Sequence, residues 1–128
     1  MTKVLLVAVG GAAGSVARYL VGVAALRWIG PGWPWGTLTV NIVGGFLMGA
    51  VTGWLAFRSA GQQETFRVLL ATGALGGFTT FSAFSLETAL MIEKRAYGSA
   101  FTYTAVSVVF AVTALFAGLF LARRMFAA

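Results

Sequence analysis

The chain contains no cysteine, no histidine and no aspartate, and its acidic residues are the three glutamates Glu64, Glu87 and Glu93. Without cysteine there is no disulfide and no thiol nucleophile, and without histidine the commonest general base is missing. Zinc sites lose their two usual ligands as well. A hydrolytic or metal-centred active site is very hard to build from these residues, so we do not expect an enzyme.

Charged residues are scarce, at 9% of the chain, whereas 59% of its residues are hydrophobic and the mean hydropathy is +0.91. These values are typical of integral membrane proteins. The net charge of +6 comes mostly from Lys and Arg at predicted helix ends and loops. Such positions favour anchoring at anionic lipid, and no nucleic-acid partner is expected. The length of 128 residues predicts a single transmembrane domain, residues 1–128.

The apolar pattern predicts four transmembrane helices, at about residues 3–26, 36–57, 66–91 and 97–121. The loop between the first two contains three of the four tryptophans, which are typical of the headgroup belt. Basic residues divide five against three or four between the two membrane sides, a weak positive-inside bias. Such a chain can insert in both orientations and pair antiparallel.

The first predicted helix has glycines at four-residue spacing, Gly10, Gly14 and Gly22, and Arg18 fills the gap in that series. This spacing places Arg18 on the protein-facing side. A basic residue near the middle of a membrane helix costs ~2.5–3.5 kcal/mol on insertion scales. Arg18 therefore needs a partner, an aqueous vestibule or a route to the interface, and it serves as an anion attractor or as a structural anchor.

The second predicted helix repeats the pattern with Asn41, Gly45, Gly49 and Gly53. An amide in hydrocarbon must find a partner, so Asn41 is either a donor that faces a solute or a helix–helix hydrogen bond. The fourth helix has no such stripe, which favours a more peripheral position. Four thin helices with glycine faces hardly enclose a conduit alone, and we therefore expect an oligomer.

The third predicted helix is interrupted in sequence by residues 73–85. Gly73, Gly76 and Gly77 do not hold a helix, and the Thr79 and Thr80 hydroxyls compete for main-chain groups. Backbone that leaves a helix at membrane depth must be buried in protein or must face a wet cavity. The stretch thus predicts a break with an ion or solute site, although small residues also allow simple close packing of helices.

Aromatic and hydroxyl side chains follow this stretch. Phe81 and Phe84 are three residues apart, so their ring edges line a narrow path or simply pack in a core. Glu87 lies either in the membrane zone or at headgroup level, paired with Lys94 or Arg95. Tyr103 and Ser107 are four residues apart and present hydroxyls on one face of the last helix.

Three motifs, at residues 10–19, 34–44 and 76–85, resemble the CrcB/Fluc family of small fluoride channels. The resemblance implies an antiparallel, dual-topology homodimer with two pores, in a bacterial cell (inner) membrane. It also implies a structural sodium ion, held by the backbone carbonyls of Gly76 and Thr79. Asn41, Phe81 and Phe84 then line the fluoride path, and Arg18 lies near its vestibule. The further polar positions around the path are Thr37, Ser82, Glu87, Tyr103 and Ser107.

The chain departs from the family at Ala83, where members often carry Ser or Thr, so a hydroxyl donor is missing at that point of the path. Two alternatives remain open at this stage. A dual-topology, proton-coupled exporter of small cations would need a central carboxylate, which the first two helices lack. A membrane scaffold would use the glycine stripes for assembly alone.

Overall fold

The computed structural model describes residues 1–127, and these are almost entirely helical. The elements in chain order are α1 (Thr2–Trp28), α2 (Trp35–Leu55), α3 (Ala60–Phe66), the π-helical segment π1 (Arg67–Leu75), α4 (Gly76–Phe78), α5 (Phe81–Glu93) and α6 (Tyr97–Phe126). Because α3, π1, α4 and α5 follow one another closely, they form one bent span, Ala60–Glu93.

Four helical stretches in the described part of the chain are long and apolar enough to cross a membrane, with 27, 21, 34 and 30 residues. The protein is therefore an integral membrane protein, and the prediction of an all-α fold with four spans, the third of them bent, is confirmed. Because each turn of an α-helix rises about 5.4 Å, even the shortest span covers the hydrocarbon core of roughly 30 Å.

Three spans are longer than their predicted ranges, and the first of them extends over Thr2–Trp28. The third begins at Ala60 because Ser59 caps the helix, where its hydroxyl accepts a hydrogen bond from the Gln62 amide. The fourth continues to Phe126, past the two arginines at its end. Arginine side chains can extend to the interface, and the Arg124 guanidinium lies 5.5 Å from the centroid of the Phe120 ring.

The segment π1 is a wide turn in the third span, where the Gly76 amide donates to the carbonyl of Ala71, five residues earlier. This turn packs against the glycine face of α1. A Cβ atom on Gly10 would overlap the carbonyl oxygen of Leu69, and one on Gly14 would overlap that of Ala74. The glycine spacing of the first span therefore marks a real backbone-to-backbone contact.

The glycine stripe of α2 packs against α6. A Cβ atom on Gly45 would lie 2.7 Å from the Ala111 carbonyl oxygen, and one on Gly49 would overlap the carbonyl oxygen of Leu115. In return, a Cβ atom on Gly118 would overlap the carbonyl oxygen of Phe46. The expectation that the last helix is peripheral was wrong, because the glycines of α2 and Gly118 of α6 together let the two backbones approach.

This packing predicts a strong effect of a small substitution. Gly49→Ala should lower the free energy of unfolding by about 1–3 kcal/mol, because the new methyl group would force α2 away from the main chain of α6. The change is measured by thermal unfolding in detergent, followed by circular dichroism. Gly98→Ala is the matched control, since nothing lies within 4 Å of a Cβ atom at that position. Equal stability of the two variants would contradict the proposed contact.

Candidate ion site at the break in the third span

The third span breaks at Thr79 and Thr80, which adopt extended conformations with φ/ψ of −87°/161° and −153°/114°. Thr79 closes the first half, since its amide and its hydroxyl both donate to the Leu75 carbonyl, at 3.0 and 2.9 Å. Thr80 opens the second half as a helix cap, because its Oγ1 accepts from the Ala83 amide at 3.1 Å. The two threonines therefore end one helix and begin the next.

The Asn41 side chain stabilises this break from α2. Its Nδ2 donates to the Thr80 carbonyl at 3.1 Å, and its Oδ1 accepts from the Thr80 amide at 2.8 Å. An extended peptide inside a membrane has no water to satisfy it, and one amide side chain meets both of its polar groups here. Asn41 thus makes the inter-helix hydrogen bonds considered from the sequence, and one of its two Nδ2 hydrogens stays available as a donor.

Arg18 reaches the break from α1. Its Nε donates to the Gly77 carbonyl at 3.0 Å, where the first half of the third span ends. A cation at the carboxyl end of a helix is favourable, because the last carbonyls carry partial negative charge. The structure therefore gives Arg18 a protein partner, which fits the role of a structural anchor. Arg18 also lines a cavity, so the guanidinium lies between protein and open space.

Two peptide oxygens at the break lose their helical partners. In a regular helix the Thr80 amide would bond the Gly76 oxygen and the Ala83 amide would bond the Thr79 oxygen, but these amides donate to Asn41 and to the Thr80 hydroxyl instead. Peptide oxygens are ligands that alkali cations accept in membrane proteins. Within residues 1–127 no three His, Cys, Asp or Glu side chains cluster as a metal site. The donor chemistry at Gly76 and Thr79 fits sodium.

Two cavities flank the break, and Thr80 lines both of them. The first, about 400 Å³ in volume, brings together Arg18, Thr37 and Glu87, with Ala83 in its wall. It lies between α1, the first loop, α2 and α5. We call it the first-loop cavity. Its polar residues come from three separate spans, as expected of a site that no single helix could form.

The second cavity, about 340 Å³ in volume, is lined by six polar or aromatic residues and by glycine and apolar neighbours from α2 and α6. The six are Asn41, Thr79, Thr80, Phe81, Phe84 and Ser107. We call it the phenylalanine cavity. The Ser107 hydroxyl is buried and has no hydrogen-bond partner among the described residues. A buried hydroxyl without a partner is unfavourable, and a bound water or ion is one way to satisfy it.

Tyr103 contacts residues of both cavities: Glu87 of the first-loop cavity and Phe84 of the phenylalanine cavity. It is fully buried, and its hydroxyl donates to Glu87 Oε1 at 3.1 Å. The Glu87 carboxylate therefore contacts a phenol, whereas the ion pairs found in residues 1–127 join Glu64 to Lys3 and to Arg67. Glu87 therefore forms no ion pair with Lys94 or Arg95 within residues 1–127, and this predicted alternative was wrong.

The rings of Phe81 and Phe84 lie 5.5 Å apart at an angle of 41°, and Phe84 lies 5.2 Å from the Tyr103 ring. Phe81 is 78% exposed in the isolated chain. Ser82 is also exposed and lines neither cavity, although its hydroxyl lies 3.3 Å from that of Thr80. Of the five predicted polar positions, Ser82 and Tyr103 line neither cavity, and Ser82 is the one that is exposed.

One contributor was not predicted as a site residue. Trp33 lines the first-loop cavity and contacts Tyr103, with ring centroids 5.3 Å apart. Tryptophan in a loop between two spans is typical of the headgroup belt, so its position in the sequence carried no signal for a site. The contact depends on α6 lying against the first loop, and α6 was expected at the periphery.

Four apolar spans, one broken at its middle between two partly polar cavities, define a helical membrane protein with a candidate ion or solute site at the break. The chain belongs to the CrcB family: the family model described as "CrcB-like protein, Camphor Resistance (CrcB)" matches residues 5–119. The resemblance seen in the three sequence motifs is therefore confirmed.

Similar proteins share the full length of the chain. A protein of Caulobacter vibrioides named "Fluoride-specific ion channel FluC" is 69% identical over 127 residues, which cover 99% of this chain and 100% of that protein. Proteins of the same name from Phenylobacterium zucineum and Agrobacterium fabrum are 68% and 51% identical over 127 and 126 residues. They cover 99% and 98% of this chain and all of each relative. Their names describe channels, in keeping with the expectation that the chain is not an enzyme.

The Arg18 contact predicts a loss of stability when the guanidinium is removed. Arg18→Met should lower the free energy of unfolding by about 1–3 kcal/mol, because the Gly77 carbonyl would lose its charged donor inside the protein. Thermal unfolding in detergent measures the change. Arg27→Met is the control, since Arg27 lies at the end of α1 and contacts only the Trp28 ring at 6.0 Å. If both variants unfold alike, the hydrogen bond does not anchor the break.

Proposed function

We propose that this protein is a fluoride-selective ion channel that lets fluoride leave the cell passively across a bacterial cell (inner) membrane. The observation that carries the proposal is the full-length match, at 69% identity, to a protein named as a fluoride-specific channel. The geometry of the break supports it, because Asn41, Ser107 and the two phenyl rings line one cavity there, and the buried Ser107 hydroxyl has no hydrogen-bond partner among residues 1–127.

The proposed path runs through the phenylalanine cavity. Fluoride is small and strongly hydrated, so a selective path must replace its water with compact donors. The Ser107 hydroxyl, the remaining Nδ2 hydrogen of Asn41 and the positive ring edges of Phe81 and Phe84 are such donors. All of them are neutral, so they can solvate the ion without the deep trapping that a lysine in the path would cause. Ala83, which lines the first-loop cavity, adds no hydroxyl to this path.

The first-loop cavity serves in this proposal as the vestibule. Arg18 attracts an anion there while its Nε stays on the Gly77 carbonyl. Thr37, Tyr103 and Glu87 form the polar surroundings between the vestibule and the rings, and Ser82 is kept as a more distant polar position. Movement needs no coupled ion, because a potential that is negative inside drives an anion outward by about 2.3 kcal/mol per 100 mV. The alternative of a proton-coupled cation exporter gains no support from the names of the relatives.

We further propose that the working unit is an antiparallel, dual-topology homodimer with two pores. In the isolated chain α5 has no buried residue, and Phe81 on it is 78% exposed beside the phenylalanine cavity. Such a half-open, aromatic groove calls for a second wall, which a second copy can supply. The near-balanced distribution of basic residues between the two sides supports insertion in both orientations.

In the proposed dimer, the sodium ion would lie between the two copies. The Gly76 and Thr79 carbonyls of each copy would hold the ion, and their helical donors are engaged elsewhere. When bound, the ion supplies a fixed positive charge that joins two broken helices. Arg18 occupies the neighbouring Gly77 carbonyl, which keeps that oxygen out of the ligand set.

Ion efflux from proteoliposomes tests the proposal. Vesicles that contain the purified protein and potassium fluoride should release fluoride, measured with a fluoride electrode after valinomycin is added. Vesicles loaded with potassium chloride should hold their anion, measured with a chloride electrode after the same addition of valinomycin, and protein-free vesicles should hold both anions. Retention of fluoride by the protein-containing vesicles, or equal release of chloride, would overturn the proposed function.

Asn41→Asp should abolish most of the fluoride efflux and leave the dimer intact. A carboxylate cannot donate to the Thr80 carbonyl or to the anion, and its negative charge repels fluoride. Gln62→Glu makes the same change of amide to acid at an exposed position of α3 and should keep the wild-type rate. Size-exclusion chromatography checks the assembly. Unchanged flux in Asn41→Asp would remove this side chain from the path.

A further inference from the structure

Trp33 is tied to two helices by a chain of hydrogen bonds. Its indole Nε1 donates to Ser99 Oγ at 2.9 Å, and the Ser99 hydroxyl in turn donates to Met91 Sδ at 3.7 Å. Trp33 lies in the first loop, Met91 in α5 and Ser99 in α6. The half-buried indole therefore joins the loop to both helices that carry the rings and the Tyr103 hydroxyl.

The flanking loop has little else to hold it. The Gly30 amide donates to the Ala25 carbonyl at 3.0 Å, but a Cβ atom on Gly30 or Gly32 would meet nothing within 4 Å, so no side chain packs against that side of the loop. Gly30 has φ of +114°, a conformation that other residues rarely adopt. The contacts of Trp33 are thus what fixes this part of the loop against the helices.

The indole also begins a row of aromatic rings that leads to the break. Trp33 meets Tyr103 edge-on, with centroids 5.3 Å apart and an angle of 72°. Tyr103 lies 5.2 Å from Phe84, and Phe84 lies 5.5 Å from Phe81. Each neighbour in the row limits the tilt of the next, because aromatic pairs prefer a few offset or edge-on arrangements. A displacement at the loop is therefore transmitted to the phenyl rings.

We propose that Trp33 is a positioning residue of the fluoride path: fixed by Ser99, its indole sets the orientation of Tyr103 and, through it, of Phe84. The inference rests on the proposed fluoride conduction. Trp33 acts through another ring, and it shares the wall of the first-loop cavity with Thr37 and Glu87. Loss of the indole lets the Tyr103 ring tilt. The tilt moves the Tyr103 hydroxyl, which donates to Glu87, and the neighbouring ring edge of Phe84.

The first test is fluoride efflux from proteoliposomes that contain substitutions of Trp33. Trp33→Leu should lower the rate about tenfold, equivalent to ~1.4 kcal/mol, near the upper range for one aromatic pair. Trp33→Phe keeps a ring against Tyr103 and should restore most of the rate. Ser99→Ala keeps the indole but removes its hydrogen-bond acceptor, so the efflux rate of this variant should fall between those of Trp33→Leu and Trp33→Phe. Trp28→Leu is the matched control, because Trp28 is 80% exposed, and it should conduct like the wild type.

A double substitution separates positioning from general loss of structure. If Trp33 acts through Tyr103, Trp33→Leu should have almost no further effect on flux in a Tyr103→Leu background. A full additional tenfold loss there would overturn the inference. So would a Trp33→Leu variant that conducts at the wild-type rate while wild-type vesicles release fluoride.

Folding is checked by size-exclusion chromatography of every variant. If Trp33→Leu does not elute like the wild type, the other two variants decide the question. Wild-type flux in Ser99→Ala would overturn the role of the indole. So would a Trp33→Phe rate no higher than that of Trp33→Leu. Wild-type vesicles that retain fluoride would overturn the proposed function itself, which distinguishes that failure from a failure of this inference.

Discussion

The structure depends on two hydrogen bonds between the Asn41 side chain and the main chain of Thr80. They satisfy an extended peptide at a depth where water is not available, and so they allow the third span to be bent. The other features of the break follow from this bend. The Gly76 and Thr79 oxygens are left without helical donors, Arg18 reaches the Gly77 carbonyl, and α5 starts anew with its aromatic residues turned toward α2 and α6.

The bend also divides the polar residues into two compartments with different chemistry. The first-loop cavity holds charged groups, Arg18 and Glu87, whereas the phenylalanine cavity holds neutral donors and rings. A small anion that moves from a charged mouth to a neutral, tight interior loses its water in steps and is never held by a fixed opposite charge in the narrow part. Thr80, which lines both cavities, is the residue at which the two environments meet.

Much of this arrangement was predictable from the sequence, and the failures have physical reasons. The break was predictable because Gly76, Gly77 and the two threonines all act against a helix in an otherwise apolar span. The close approach of α2 to α6 was missed, since the single glycine Gly118 of α6 is enough where α2 supplies a stripe of glycines. Trp33 was missed for a related reason: an amphipathic ring suits lipid and protein equally well, and only the position of α6 decides between them.

The wide turn π1 has a consequence for how this protein can vary. Over Arg67–Leu75 the main chain holds more residues per turn than an α-helix, as the Gly76-to-Ala71 bond shows. Removing one residue there, with the other turns unchanged, would rotate the two ends of the span relative to each other by the angle that one residue turns, which is about 100° in an α-helix. The face that meets α1 and the face that carries the phenyl rings would then no longer match their neighbours. A change of length in this stretch would therefore misalign two interfaces at once, a cost that a change of one exposed side chain does not carry.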